Sequence, residues 1–321
     1  MRGFGPRPRK MELIRGFHNL REQHRGCVLS IGNYDGVHRG HQALLARLKA
    51  LSREHRLPAV VQVFEPTPRE YFAADQAPGR VQTLRDKLAS LAGVGVNRTL
   101  CVRFGRQLAA MPADEFVVGQ LVRRLGVRAV VIGDDFRFGA GRGGDLAMLK
   151  ALGEQHGFSA ESLATVAESD SRISSSAIRA ALGEADLMQA ERLLGRKYAI
   201  SGRVRPGQRL GRELGMPTAN LTLPRPMAIR YGVYAVEAQM GGQGRWWPAV
   251  ANIGVRPSVD GPVRRLLETH ILGAPGDLYG QLMQVRFRRF IRPEARFESL
   301  DALRQQMHDD RQTAEQFFKE N

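Results

Sequence analysis

Two histidines three residues apart lie in a glycine-rich stretch, GNYDGVHRGH, at residues 32–41. The stretch follows an apolar run, CVLSI, and precedes a helical pattern, HQALLARLKAL, so it is the turn between a strand and a helix. Free backbone N–H groups and the helix dipole attract anions at such a helix start. His38 and His41 can face one anion, and Gly40 lets a phosphate approach the backbone. The spacing therefore predicts a polyphosphate site.

Zinc binding and simple helix capping are the alternatives for this histidine pair. Histidine is a common zinc ligand, but no cysteine or further histidine stands nearby with ligand spacing, so we disfavour zinc. Capping would require no chemistry at all. The short H-x-G-H string does not by itself decide between phosphate binding and capping.

A second glycine-rich stretch, GRVRPGQRLGRELGMPTAN, occupies residues 202–220. Its glycines permit close backbone approach to a phosphate, and Arg209 and Arg212 add positive charge. Thr218 and Asn220 offer hard oxygen ligands of the kind that Mg²⁺ prefers. The chain has no GxxxxGK[ST] string, so a kinase built on this stretch must bind ATP in another way.

One acidic residue, Glu268, lies within the strand-like run LLETHIL at residues 266–272. Apolar neighbours on both sides would hold its carboxylate in a fixed place. A carboxylate so placed can accept the proton of an alcohol that attacks a γ-phosphate. An exposed strand glutamate without a chemical role is the alternative.

The segment IGDDFRFGAGRGG contains Gly139, Gly141 and Gly144, which spell GxGxxG. A dinucleotide-binding fold places that motif directly after its first strand. Here FRF intervenes, and the HRGH turn already occupies the first strand–helix connection. A NAD-type site is therefore disfavoured.

Length and composition limit the classes of protein to which the chain can belong. The chain has 321 residues, of which 43% are hydrophobic and 25% charged, which suggests two globular domains. No apolar run approaches the roughly 20 residues that span a bilayer. The basic start, which we expect to be a disordered extension at residues 1–10, lacks an apolar signal region, so a cytoplasmic protein is expected. Cys27 and Cys101 are expected to be buried free thiols rather than a disulfide.

The net charge of +16 raises the question of nucleic-acid binding. Basic residues are spread along the chain, and no nucleic-acid motif with fixed spacing is present. We therefore expect anionic small ligands as partners, with no nucleic acid and no membrane. A basic RNA-binding protein on a synthetase-like fold remains the alternative from a different class.

Strand and helix patterns alternate in the first half. Candidate helices separate continuous β-branched runs, as in a parallel sheet buried on both faces. The expected fold of this half is a doubly wound, Rossmann-like α/β domain. The candidate strands are RGCVLSI (25–31), PAVVQVF (58–64), RTLCVRF (98–104) and VRAVVIG (127–133), and the candidate helices are HQALLARLKALS, TLRDKLASLAG and ADEFVVGQLVRRLG.

The pattern changes after about residue 195. The runs GVYAVEAQM (232–240) and QVRFRRF (284–290) alternate with period two, and Gly and Pro turns separate them. This pattern predicts an antiparallel barrel or sandwich, closed by two helices at SLDALRQQMHDD and TAEQFFKE. We predict domains at 11–186 and 187–321.

A family resemblance joins these segments. IGNYDGVHRGHQALL resembles the signature of nucleotidyltransferases related to class I aminoacyl-tRNA synthetases, and more narrowly that of the bacterial bifunctional riboflavin kinase/FAD synthetases. The resemblance runs from about residue 12 to the end. Its other segments are VFEPTPREYF, IGDDFRFG, RISSSAIRAAL, PTAN, ANIGVRPS, LLETHIL, DLYGQ and FIRPEARF. The chain departs from the family pattern at Tyr34, Ser176, Met216 and Ser258, where Phe, Thr, Phe and Thr are usual.

The resemblance implies that a C-terminal β-barrel phosphorylates riboflavin and that an N-terminal nucleotidyltransferase domain then adenylylates FMN. ATP would be the co-substrate of both steps, with Mg²⁺ as cofactor and riboflavin, FMN and FAD as substrates and products. It implies catalytic roles for Glu268, His38, His41 and Arg172. It implies ATP or phosphate contacts at Gly32, Asn33, Asp35, Gly40, Asp135, Ser175, Ser176, Arg179, Gly207, Arg212, Thr218 and Asn220. It implies flavin contacts at Phe64, Pro66, Pro68 and Arg292, and Mg²⁺ ligation by Thr218 and Asn220. Within enzymes, the alternative is that the first domain adenylylates a different phosphate ester.

Overall fold

The computed structural model describes residues 11–164, 167–168, 171–206, 215–242, 244–256, 263–273 and 278–320. These residues form two compact units. One contains the described residues up to Ala77 together with Lys87–Ser174, and the other contains Pro78–Asp86 and the described residues from Ser175 onward. The predicted domain boundary at residues 186 and 187 stays a prediction.

A six-stranded parallel sheet forms the centre of the first unit. Its order is β1-β4-β3-β2-β5-β6, and every neighbouring pair is parallel. All residues of β2 and β3 are buried, because these continuous apolar runs have both faces covered. The predicted Rossmann-like fold is confirmed. The strands are β1 (Glu12–Arg15), β2 (Cys27–Ile31), β3 (Ala59–Phe64), β4 (Arg98–Val102), β5 (Val127–Gly133) and β6 (Ser159–Leu163).

The two edge strands of this sheet were absent from the sequence prediction. The β1 run, ELIR, has only four residues, and the β6 run, SAESL, is mostly polar and partly exposed. Edge strands of this kind carry little of the apolar signal that marks the buried centre of a sheet.

Helices connect the strands. The longest of them, α1, buries four leucines at helical spacing, and it begins at Arg39 rather than at the predicted His41. The helices are α1 (Arg39–His55), α2 (Pro68–Phe72), α3 (Leu84–Gly93), α4 (Arg106–Ala109), α5 (Ala113–Glu115), which continues as π-helical turns over Phe116–Arg124, and α6 (Leu146–His156). The short strands β7 (Ala167–Glu168) and β8 (Ser171–Arg172) pair with each other before α7 (Ser175–Gly183) and α8 (Leu187–Leu194).

The second unit contains an antiparallel sheet of six strands in the order β10-β13-β12-β11-β14-β9. A backbone hydrogen bond of 2.9 Å from Arg205 N to Asn220 O joins the two edges, so the sheet is a nearly closed barrel, as the sequence predicted. The strands are β9 (Ala199–Arg203), β10 (Ala219–Leu223), β11 (Gly232–Met240), β12 (Trp247–Arg256), β13 (Arg264–Ile271) and β14 (Leu282–Arg292).

One long helix, α9 (Leu300–Glu320), ends the described chain. The prediction of two separate helices was wrong. No Gly or Pro interrupts the segment, and the Arg311–Glu315 pair, at 2.7 Å, supports the helix across the predicted break. Apolar residues of α9, with Ala314 at the centre, pack against Val233, Ala235 and Val250 of the barrel. Both faces of β11 are therefore buried over Val233–Val236.

Cys27 and Cys101 are buried free thiols, as predicted. Burial raises the pKa of the Cys27 thiol to about 12. Of the helices that the structure describes, none is both long enough and apolar enough to cross a bilayer.

Candidate functional site

The predicted polyphosphate turn lies at the switch point of the parallel sheet. Strand β2 has β3 on one side and β5 on the other, so the connections that leave β2 and β5 diverge. Open α/β sheets bind ligands in the crevice that this divergence creates. The turn before α1 leaves the carboxyl end of β2, and the exposed Asp134 and Asp135 follow the end of β5.

Tyr34 anchors the turn. Its side chain is buried, and its hydroxyl lies 2.5 Å from Ser30 Oγ, which itself donates to the Val131 carbonyl at 2.6 Å. Because Ser30 uses its proton on Val131, the tyrosine hydroxyl is the donor to Ser30. Tyr34 therefore replaces the family's phenylalanine without leaving its hydroxyl unpaired, and burial raises its pKa.

The two histidines are stacked. His38 is the N-cap of α1, and its Nδ1 accepts the backbone N–H of His41 at 3.3 Å. The ring centroids are 3.6 Å apart with an interplanar angle of 19°. Because Nδ1 of His38 is an acceptor, the proton of its neutral ring lies on Nε2. The capping alternative is thus part of the structure.

His41 has a different environment. Burial lowers the pKa of His41 well below its usual value, and His38 and Lys87 add to this effect. The ring is therefore neutral at pH 7. Its Nδ1 is shielded from solvent and makes no hydrogen bond to the described part of the chain. A shielded polar atom without a partner is costly unless a ligand supplies one.

Gly40 has a packing role that the sequence did not predict. A Cβ atom at this position would lie 3.2 Å from the His38 ring and 3.3 Å from the Ile173 carbonyl. The glycine therefore gives room to the stacked histidine as well as to the backbone of residue 173. Its predicted phosphate contact stays a prediction.

Sequence reasoning missed Lys87 on α3, a lysine that is only 1% exposed. Lys49 Nζ of α1 donates to the Val94 carbonyl just after α3, at 2.8 Å, so α1 lies beside the end of α3. Lys87 is also one of the groups that lower the pKa of His41, which places the two side chains near each other. The only signal in the sequence was a lysine at helical spacing from Leu91.

Two glycines of the GxGxxG pattern allow close packing against neighbouring residues. A Cβ atom at Gly139 would lie 2.6 Å from Ala113, and one at Gly144 would overlap the ring of Phe138. Asp145 then caps α6 by accepting the Met148 N–H at 3.0 Å. Packing against these two neighbours accounts for Gly139 and Gly144.

The predicted flavin segment lies at the carboxyl end of β3. Phe64 is the last strand residue, Pro66 follows a cis peptide bond, and Pro68 is the first residue of α2. Thr67 and Glu70 form a reciprocal capping box that fixes the start of this helix. The segment thus leads from β3 into a capped helix, and flavin contacts of Phe64, Pro66 and Pro68 stay predictions.

An aromatic cluster surrounds that loop. Phe104 makes edge contacts with Phe64 at 5.7 Å, Tyr71 at 5.5 Å and Phe72 at 5.7 Å between ring centroids. Phe72 is 68% exposed, which is unusual for a large apolar side chain. Exposed rings on a rigid loop are suited to stacking against a planar ligand. Tyr71, Phe72 and Phe104 were not among the residues predicted from the sequence.

The RISSSAIR segment is described only in part. Arg172 lies in β8, but its side chain is outside the described residues. Ser175 and the exposed Ser176 are the first residues of α7. Arg179 Nε donates to the Gly79 carbonyl at 2.9 Å within the second unit. Phosphate contacts at these residues stay predictions, as do those at Gly32, Asn33, Asp35 and Asp135.

A polar row crosses three strands of the barrel. Glu268 on β13 pairs in register with Asn220 on β10 and with Asn252 on β12. Residues directly opposite in antiparallel strands have their Cβ atoms about 4.5–5.5 Å apart on one face of the sheet. The structure therefore brings the predicted Glu268 and Asn220 together and adds Asn252, which the sequence analysis had not singled out.

Arg256 holds the carboxylate of Glu268. One guanidinium nitrogen donates to both carboxylate oxygens, at 2.9 and 2.8 Å, and the Glu268 side chain is 17% exposed. Asn220 Nδ2 donates to the Thr218 carbonyl at 3.3 Å, while Asn220 Oδ1 is buried and makes no hydrogen bond to the described part of the chain. The row thus combines a fixed carboxylate with an unused amide oxygen.

Arg292 is engaged with the final helix. Its guanidinium makes two hydrogen bonds to Asp310 of α9, at 2.8 and 2.7 Å. This pair ties β14 to α9, and a flavin contact of Arg292 stays a prediction. Gly207, Arg212 and Ser258 lie outside the described residues.

Comparisons with known proteins assign different families to the first and second halves of the chain. The profile of the FAD synthetase family matches residues 20–177, and that of the riboflavin kinase family matches residues 194–318. The bifunctional riboflavin kinase/FMN adenylyltransferase of Escherichia coli strain K12 is 51% identical over 96% of this chain and 98% of that protein. The protein of the same name from Haemophilus influenzae is 44% identical over 96% of this chain and 99% of its own length.

A solved structure has the same fold. The crystal structure of a macrolide-efflux protein from Streptococcus pneumoniae, as it is described, superposes with a TM-score of 0.75. It covers 95% of this chain and 99% of that chain at 26% sequence identity.

Proposed function

Because the chain belongs to the family of bifunctional riboflavin kinase/FMN adenylyltransferases, we propose that its two sites act in succession on one flavin. The enzyme converts riboflavin and ATP to FMN and ADP, and FMN and ATP to FAD and diphosphate. The observation that carries the assignment of chemistry is the polar row of the barrel. It fixes one carboxylate, which can accept the proton of an alcohol, beside an amide oxygen that can ligate Mg²⁺.

In the kinase reaction, Glu268 is the general base. It accepts the proton of the ribityl 5′-hydroxyl as that oxygen attacks the γ-phosphorus of ATP, and ADP leaves with the electrons of the broken bond. Arg256 orients the carboxylate and offers positive charge near the transferred phosphoryl group. Gly207 and Arg212 contact the nucleotide phosphates.

Asn220 of β10 and Thr218, the residue before that strand, are suited to bind the proposed Mg²⁺ ion. Oδ1 of Asn220 is a buried oxygen without a partner in the described chain, and Thr218 offers a hydroxyl two residues away. Hard oxygen donors of this type suit Mg²⁺, which usually binds through one or two protein ligands together with phosphate oxygens. When bound, the ion would neutralise charge on the transferred phosphoryl group.

In the adenylyl transfer, a phosphate oxygen of FMN attacks the α-phosphorus of ATP and diphosphate leaves. A phosphate is already a competent nucleophile, so no protein group has to remove a proton. His38 and His41 donate hydrogen bonds to the triphosphate, His41 as a neutral ring, and Lys87 adds positive charge near His41. Arg172, Ser175, Ser176 and Arg179 bind the leaving diphosphate.

The remaining residues of the first site position the substrates. Phe64, Pro66 and Pro68, with the aromatic cluster beside them, form the wall on which the isoalloxazine ring stacks. Gly32, Asn33, Asp35, Gly40 and Asp135 contact the nucleotide from the two connections at the switch point. We assign adenylyl transfer to residues 11–186 and the kinase to residues 187–321. We place the enzyme in the cytoplasm, because both reactions consume ATP, and without a nucleic-acid partner.

A time course tests this assignment. Purified protein incubated with riboflavin, ATP and Mg²⁺ is expected to form FMN first and FAD after a lag, as separated by chromatography, and excess EDTA should stop both reactions. FMN without FAD, even when FMN is supplied, would mean that the first site acts on another substrate. The absence of both products would overturn the proposal, and salt-sensitive retention of RNA would then be the next measurement.

A further inference from the structure

Asn252 is the member of the polar row that the proposed mechanism does not use. It pairs with Glu268 on the side opposite to Asn220. Its Oδ1 is buried and makes no hydrogen bond to the described part of the chain. A shielded carbonyl oxygen without a donor costs free energy comparable to a lost hydrogen bond. A ligand group that donates a hydrogen bond would satisfy it.

The orientation of the Asn252 amide is set by Glu294. Nδ2 of Asn252 donates to Glu294 Oε1 at 3.5 Å, and the absence of a side chain at Gly254 gives that carboxylate room to lie over β12. The reverse orientation would place the amide oxygen against the carboxylate oxygens, which are acceptors only. Oδ1 of Asn252 therefore faces away from Glu294 and can only accept a hydrogen bond.

The two asparagines lie on opposite sides of Glu268. Two strand spacings amount to about 9.5 Å between their backbones. If Asn220 marks the nucleotide side of Glu268, Asn252 marks the side of the alcohol.

We propose that Asn252 accepts a hydrogen bond from the ribityl 4′-hydroxyl of riboflavin and so selects substrates that carry a hydroxyl beside the attacking one. This inference rests on the proposed role of Glu268 as the base for the 5′-hydroxyl. The 4′-hydroxyl is one carbon further along the chain, on the side away from the nucleotide. The site thus recognises a vicinal diol, with one oxygen activated by Glu268 and its neighbour held by Asn252.

The test compares riboflavin with 4′-deoxyriboflavin, using FMN-type product formation as the readout. For the unmodified enzyme, kcat/KM should be about 10- to 100-fold lower for the deoxy substrate, because Oδ1 then stays unsatisfied. Asn252→Ala should lower kcat/KM for riboflavin by a similar factor and reduce the difference between the two substrates to less than about 3-fold. Val255→Ala is the matched control, since Val255 is 38% exposed on the opposite face of the same strand.

Two results would overturn the inference. One is equal use of both substrates by the unmodified enzyme, which requires no variant and is therefore independent of folding. The other is an Asn252→Ala enzyme that still discriminates as strongly as the parent. Failure of the unmodified enzyme to phosphorylate riboflavin at all is a distinct result, because it would overturn the proposed kinase function itself.

Discussion

Glu268→Gln is expected to lower the rate of FMN formation from riboflavin by about 10²- to 10⁴-fold, the usual contribution of a general base. FAD formation from supplied FMN should be unchanged. The amide has nearly the same shape and still offers one acceptor to Arg256, but it cannot take the proton of the 5′-hydroxyl. The two rates, measured on one preparation by flavin chromatography, give the result directly.

Glu237→Gln is the matched control for this variant. Glu237 is also a barrel glutamate held by arginine, with Arg288 at 2.7 Å, but it lies on β11 outside the polar row. It should leave both activities within about 3-fold of the parent, since the amide keeps the shape of the side chain and still offers an oxygen to Arg288. Equal loss of both activities in Glu268→Gln would contradict the assignment of the base to the barrel.

His41→Ala should have the opposite effect. Loss of a preorganised donor to the transition state typically lowers a rate by about 10²- to 10³-fold, so FAD formation from FMN should fall by that factor. FMN formation from riboflavin should be unchanged. Because burial keeps His41 neutral, hydrogen bonding and not charge is the expected contribution. His41→Asn, whose amide nitrogen can stand near the Nδ1 position, should therefore retain more activity than His41→Ala.

His55→Ala serves as the control, because His55 is an exposed histidine at the other end of α1. The pH dependence supplies a second check. With the pKa of His41 lowered, the ring stays neutral as the pH rises through about 6.5, the ordinary histidine value, so His41 should add no titration to the rate there. Unchanged FAD formation in His41→Ala would show that the stacked histidines only cap the helix.

The fold was predictable where burial leaves a strong pattern. The central strands β2, β3 and β5 are continuous apolar runs, and their residues are buried almost throughout. The edge strand β1 escaped prediction because four residues with one buried side chain carry no such pattern. The break predicted within α9 was wrong because a run of polar residues does not end a helix that gains support from i,i+4 pairs.

Site residues were predictable from the sequence only where they lie in a recognisable local motif. His38, His41 and Glu268 follow from local sequence and from family resemblance. Asn252, Arg256 and Lys87 do not, because their partners are distant along the chain. Asn252 joins Glu268 only through the register of β12 with β13, and Lys87 acts on His41 only because the folded chain brings α1 near α3. Register and helix packing are tertiary properties that no local spacing encodes.

Mixing the Glu268→Gln and His41→Ala variants tests the central claim, that one chain carries two separate sites in succession. Each variant alone, given riboflavin, ATP and Mg²⁺, should make little or no FAD. The mixture should make FAD at a substantial rate, with FMN from the His41→Ala protein appearing first and then being consumed by the Glu268→Gln protein. A mixture that forms FMN but no more FAD than the His41→Ala variant alone would contradict the account.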